Sequence, residues 1–114
     1  PADSGQTQAG MVVGTPEYMA PEQLLGDELD ARADLYATGC VLYECLTGDV
    51  PLSAPTPMVL ISKVLEEVPQ PPHARYPDIP AQLSEIVMWA LQKDRERRPQ
   101  SAAILHERLD QVAV

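Results

Sequence analysis

Across residues 33–46 the apolar and small positions fall on every side of a helical wheel, not on one stripe. Leu35, Tyr36, Ala37, Gly39, Cys40, Val41, Leu42, Tyr43, Cys45 and Leu46 leave only Asp34, Thr38 and Glu44 as polar breaks. A helix that is apolar all round is expected to be buried all round. Asp30 suits its N-cap, and Gly48 with Pro51 beyond it supplies the stop. The segment is too short and too often interrupted to cross a bilayer, which requires about 20 predominantly apolar residues. The pattern therefore predicts a central hydrophobic helix around which the remaining chain packs.

The other segments read as shorter helices. Pro21 suits a first helical position, Glu22 the positive N-terminal end and Gly26 the stop of a brief helix. Thr56 and Pro57 open another, with Met58, Ile61, Val64 and Leu65 as its expected apolar stripe. Residues 69–80 are dense in proline and read as a rigid connector, or alternatively as a polyproline ligand. Residues 80–93 carry the cleanest amphipathic pattern, in Leu83, Ile86, Val87, Ala90 and Leu91, with Trp89 at the edge of that stripe. Ser101 caps a last helix bearing Leu105, Leu109 and Val112. No stretch alternates as a strand and no internal repeat is present. The expectation is an all-α chain of about five helices.

Composition narrows the function classes. With 114 residues the chain is one domain or part of one, and 45% hydrophobic content is enough for a core. A formal charge of -9 argues against partners that are nucleic acids or membrane surfaces, since both call for a basic face. The first ten residues lack the apolar segment of a secretory leader, and the chain starts without Met, as expected of a piece of something longer. Cys40 and Cys45 lie about 7.5 Å apart along a helix axis and on different faces, beyond disulfide reach. Both are expected to be buried thiols in a reducing compartment, and neither they nor His73 and His106 have metal-ligand spacing. No metal site is expected.

The run Gly-Thr-Pro-Glu-Tyr-Met-Ala-Pro-Glu at residues 14–22 has no periodicity and reads as an ordered loop. It resembles the end of the activation segment of eukaryotic-like Ser/Thr protein kinases, closing with their Ala-Pro-Glu signature at Ala20, Pro21 and Glu22. The resemblance continues in order. Residues 34–39 (DLYATG) resemble the Asp-x-x-x-x-Gly that opens the long central helix of the kinase C-lobe. Leu46, Thr47, Gly48 and Pro51 resemble its exit, with Leu52 where the family usually carries Phe. Residues 91–99 (LQKDRERRP) resemble the family's Leu-x-Lys-Asp-Pro-x-x-Arg-Pro turn, with Arg95 in place of the first Pro. Gln23 and the spacing are most like the bacterial branch. The fold implied is the C-terminal part of a kinase C-lobe, with residues 1–19 as activation segment and substrate loop and residues 20–114 as C-lobe helices.

The resemblance also implies roles. Thr15 would contact the catalytic groups and mark Ser/Thr specificity, although alone it would pass for a turn residue. Pro16, Glu17, Tyr18 and Met19 would shape the pocket for the residue after the phosphorylated hydroxyl. Thr7 would be an activation-loop phosphosite, with Ser4 the second candidate; the alternative is an unmodified tail. Glu22 and Arg98 would form a structural ion pair, and Asp34 and Gly39 would serve as scaffold. The family's Gly-rich loop, strand Lys, His-Arg-Asp and Asp-Phe-Gly motifs are not in this sequence. No catalytic residue is therefore expected here. ATP and Mg2+ belong to a parent enzyme, and this chain alone is expected to bind neither. The expected partners are the remainder of the kinase domain and protein substrates. The expected location is cytoplasmic, with any membrane anchor of the parent in another region. A rival reading is a non-catalytic, kinase-like interaction module.

Overall fold

The computed structural model describes residues 16–112. Among these the regular structure is helical, and no strand occurs. The elements are α1 (Pro21–Leu24), α2 (Ala31–Thr47), α3 (Pro57–Glu66), α4 (Pro72–Arg75), α5 (Ala81–Ala90) and α6 (Ala102–Asp110). Single 3-10 turns occupy Pro16–Tyr18 and Arg95–Arg97. The expected all-α architecture is present, with one element added. The proline-dense connector folds into the turn α4, because Pro72 stands at a first helical position where its missing N–H costs nothing.

Local chemistry sets the helix ends. The Asp30 carboxylate accepts the Arg32 backbone N–H at 2.9 Å, and Gly48 closes α2 at a left-handed φ of 84° that favours glycine. Thr56 accepts from the Val59 N–H at 3.3 Å and Ser101 from the Ile104 N–H at 3.1 Å. At α1, whose N-cap Ala20 has no side-chain acceptor, the Gln23 side chain instead takes the Ala20 N–H at 2.8 Å.

The core lies between α2 and α5. Ala20, Ala33, Tyr36, Cys40, Tyr43, Val87 and Leu91 form one buried cluster. Leu35, Ile86 and Leu105 join α2 and α5 to α6, with Trp89, Leu109 and Val112 at the margin. Leu52, Leu60 and Val64 make a third cluster under α3. Gly39 lets α2 and α5 approach: a Cβ built there would stand 2.9 Å from the Ala90 Cβ and 3.1 Å from a Leu91 methyl, closer than carbon atoms pack.

Two expectations from the pattern change. First, α2 is not covered all round. Asp34, Thr38, Val41 and Cys45, spaced by four, three and four, form one exposed stripe, and Val41 is 50% exposed. Cys45 is therefore an exposed thiol, whereas Cys40 is buried and its pKa is pushed up by burial to about 12. Second, α3 buries Leu60 and Val64, while Met58 is 80% exposed and Ile61 and Leu65 are only half-buried. An apolar run longer than its partner surface leaves the register to tertiary contact. The basic turn at residues 93–98 is only partly solvated. Lys93 Nζ donates to the Val64 carbonyl at 2.6 Å and Arg95 Nη1 to the Glu28 carbonyl at 2.6 Å, while Arg97 stays exposed.

Candidate functional site

The candidate site is the loop that enters α1 and the groups that hold it. Residues 16–18 form one 3-10 turn, closed by the Met19 N–H on the Pro16 carbonyl at 3.2 Å. Pro16 fixes the entry angle and Pro21 starts α1, so the four residues between them have little backbone freedom. Pro16, Glu17, Tyr18 and Met19 are all half-buried, and Ala20 is fully buried against Tyr36 and its neighbours. The turn sits between α2 and α3. A concavity of about 300 Å³ opens beside it, lined by Pro16, Glu17, Ala54, Pro55, Thr56, Pro57 and Leu60. Thr15, Thr7 and Ser4 lie outside the described residues.

Two side-chain pairs anchor the loop. At its C-terminal side, Glu22 meets Arg98 in a two-pronged pair: Nη1 donates to Oε2 at 2.6 Å and Nη2 to Oε1 at 2.7 Å. Arg98 is 2% exposed and Glu22 5% exposed. A buried ion pair holds only if the remaining donors are satisfied. Here Arg98 Nε donates to the Gln92 carbonyl at 2.7 Å, Nη1 to the Arg32 carbonyl at 2.9 Å and Nη2 to the Lys93 carbonyl at 3.1 Å. The guanidinium also lies 5.1 Å from the centre of the Tyr36 ring. One side chain thus ties α1, the start of α2 and the turn before α6. Burial pushes the Glu22 carboxyl up, but the Arg98 bonds and a backbone bond outweigh it and leave its pKa below the ordinary value.

The second anchor was not legible as such in the sequence. Tyr18 Oη donates to the Glu44 carboxylate of α2, a contact across 26 residues. This bond, foremost, raises the Tyr18 pKa. In the sequence Glu44 is one of three polar breaks in an apolar helix; that it interrupts a segment with no polar stripe is the only signal that could have singled it out. Asp34 stands on the exposed stripe of α2, and Gly39 lies on the opposite, buried side against α5.

Among the described residues, no group of three or more His, Cys, Asp or Glu side chains could hold a metal ion, and no helix is long and apolar enough to cross a membrane.

The protein kinase domain model matches residues 2–109. The chain belongs to the protein kinase domain family. It is 44% identical over 113 residues to the serine/threonine-protein kinase PknB of Mycobacterium tuberculosis, a match covering 97% of this chain and 18% of PknB. A probable serine/threonine-protein kinase of Streptomyces coelicolor, SCO3848, is 44% identical over 102 residues, 88% of this chain and 15% of that protein. The serine/threonine-protein kinase pkn3 of Myxococcus xanthus is 43% identical over 108 residues, 93% of this chain and 20% of its own length. The chain therefore spans about a fifth or less of the length of these curated relatives. The helical fold described above is that of a kinase C-lobe segment.

Proposed function

We propose that this chain is the protein-substrate side of a bacterial-type Ser/Thr protein kinase whose full length transfers the γ-phosphoryl group of Mg-ATP to Ser or Thr hydroxyls of proteins. The observation that carries the reading is the two-pronged Glu22–Arg98 pair in a chain matched to the kinase family over residues 2–109. That pair clamps the end of the loop in which the substrate residues are assigned, and positioning is the main catalytic resource in phosphoryl transfer.

In this assignment residues 1–19 are the activation segment and substrate loop, and residues 20–114 are the scaffold. Thr15 reads out the acceptor hydroxyl, and residues 16–19 form the wall met by the next substrate residue. Thr7, with Ser4 as second choice, takes an activating phosphate. ATP and Mg2+ are held elsewhere in the parent, in the motifs this sequence does not contain, so the chain alone is inactive. The open stripe Asp34, Thr38, Val41 and Cys45 receives the remainder of the kinase domain, with Asp34 accepting its backbone N–H groups and Gly39 keeping α2 seated on α5. The working location is the cytoplasm. A non-catalytic interaction module has no observation in its favour.

The test is phosphate transfer from labelled ATP to a Ser/Thr-containing basic protein, by the full-length protein and by this chain. Transfer by the former and not the latter is expected. Transfer by the isolated chain, or none by the full-length protein, overturns the assignment. Phosphopeptide mapping of the active full-length protein should find Thr7 modified.

A further inference from the structure

We infer that Lys93 is a positioning residue for protein-substrate engagement: its side chain tethers α3, the helix that walls the concavity beside the substrate loop. The inference rests on the kinase reading above. Its basis is the bond from Lys93 Nζ to the Val64 carbonyl at 2.6 Å, across 29 residues.

α3 sits where a substrate would meet it, yet little holds it there. It packs on the turn at residues 16–18 and on α1. Its Pro57 and Leu60 line the concavity of about 300 Å³ that Pro16 and Glu17 bound from the loop side. Its buried contact is the small cluster of Leu52, Leu60 and Val64, whereas Met58 is 80% exposed. The Thr56 cap and the reach of Lys63 Nζ to the Ser53 carbonyl at 2.9 Å are local bonds that move with the helix. Among the described residues, the Lys93 bond is the one hydrogen bond that ties α3 to a distant part of the chain.

The tether is placed at the end of α3 that needs it. The last carbonyls of a helix have no partner within it, and α3 runs out into extended backbone at Glu67 without a glycine cap. An ammonium there also meets the negative end of the helix. Lys93 is half-buried and lines two concavities, one with Val68, Pro69 and Met88 and the other with Pro21 and Leu25. Burial pushes its pKa down while Glu67 acts in the opposite sense, so the amine is drawn in toward the carbonyl and away from bulk water. The root of the tether is itself fixed, because Arg98 Nη2 donates to the Lys93 carbonyl at 3.1 Å. Arg98 therefore holds the substrate loop through Glu22 and α3 through Lys93. Both walls of the concavity are keyed to one turn.

In the full-length protein, Lys93→Met keeps the apolar stem and removes the donors, while Lys93→Arg returns a charged donor. Steady-state kinetics are measured against a Ser/Thr-containing basic protein and against Mg-ATP, with amide hydrogen exchange of α3 and α5 alongside. Lys93→Met is expected to raise KM for the protein substrate about threefold, as for a helix whose seated fraction falls to about a third. Both kcat and KM for Mg-ATP should stay within about twofold. Amides of α3 should exchange about tenfold faster, the equivalent of one charge-assisted hydrogen bond, and those of α5 at their former rate. Lys93→Arg is expected to recover most of both losses. An unchanged protein-substrate KM in Lys93→Met overturns the inference, as does exchange that rises equally in α3 and α5. Lys93→Arg performing no better than Lys93→Met overturns it too. If Lys93→Met fails to fold, exchange in the unmodified protein decides: α3 should be the less protected helix, and protection equal to that of α5 overturns the inference. Absence of transfer by the unmodified full-length protein would instead sink the kinase reading, and this inference with it.

Discussion

The two sides of α2 both carry apolar residues and meet opposite fates. One side carries Tyr36, Cys40 and Tyr43, each at most 2% exposed, locked under α5 and the entry to α1. The other carries Asp34, Thr38, Val41 and Cys45 and faces solvent. The closed side is held by contacts within residues 16–112: the Glu22–Arg98 pair, the Gly39–Ala90 approach and the apolar cluster. The open side has apolar groups and no cover among the described residues. Hydrophobicity alone thus does not say whether a helix face is filled within one stretch of chain or by another. Which neighbours are present decides it.

The largest effect should come from breaking the closed side at its charged anchor. Arg98→Ala leaves the Glu22 carboxylate buried without its partner and strands the Gln92, Arg32 and Lys93 carbonyls that Arg98 now serves. Loss of one member of such a pair costs about 3–5 kcal/mol, read as a fall in the denaturation midpoint of the full kinase domain. A loss below about 1 kcal/mol would mean that water replaces the guanidinium, as at a surface pair.

Acid should act on the same anchor. Glu22 has a folded-state pKa below its ordinary value, so the unfolded chain takes up its proton at a higher pH than the folded one. The stabilisation is whole above the unfolded-state pKa and is lost as pH falls through the folded-state value. Stability of the kinase domain is expected to drop on the acid limb, and Glu22→Gln should flatten that drop. An unaltered acid limb in the variant would assign it to other carboxylates.

Smaller is the effect of forcing α2 and α5 apart. Gly39→Val places atoms where the Ala90 Cβ and Leu91 side chain stand, and overpacking of this kind costs about 1–3 kcal/mol. Thermal unfolding of the same domain checks it. Wild-type stability in the variant would show that the helices separate freely.

The smallest stability change, and the sharpest test of the open side, is Val41→Lys. On a solvated face it should shift stability of the isolated chain by less than about 0.5 kcal/mol. The unmodified chain is expected to be helical but loosely packed, or to self-associate through this stripe, giving hydrophobic dye binding and a concentration-dependent denaturation midpoint. Val41→Lys should reduce both. A monomer with a sharp, concentration-independent transition and no dye binding would remove the distinction between the two faces.

Much of this arrangement is local and was legible in the sequence. Caps at Asp30, Thr56 and Ser101, stops at Gly26 and Gly48, and first-position prolines at Pro21 and Pro57 mark four of the six helices, because each acts through a bond or torsion within a few residues. Periodicity placed Ile86, Val87, Ala90 and Leu91 in the core for the same reason. Glu22 and Arg98 were paired by family resemblance rather than by any local rule, since 76 residues separate them.

Tertiary structure decided what depends on neighbours. The apolar content of α3 is compatible with burying Met58 or Leu60, and the position of Leu52 selects Leu60. An apolar helix such as α2 offers several faces at similar cost, and the approach of α5 at Gly39 selects one, leaving Val41 and Cys45 in solvent. Glu44 looks like an interruption in sequence and becomes an acceptor only when the fold brings Tyr18 to it. Sequence by itself determined where α1, α2, α3 and α6 begin, since hydrogen bonds close to the backbone are short-ranged. Faces, registers and long-range pairs arise from packing, where one apolar surface can be satisfied in several ways until its partners are in place.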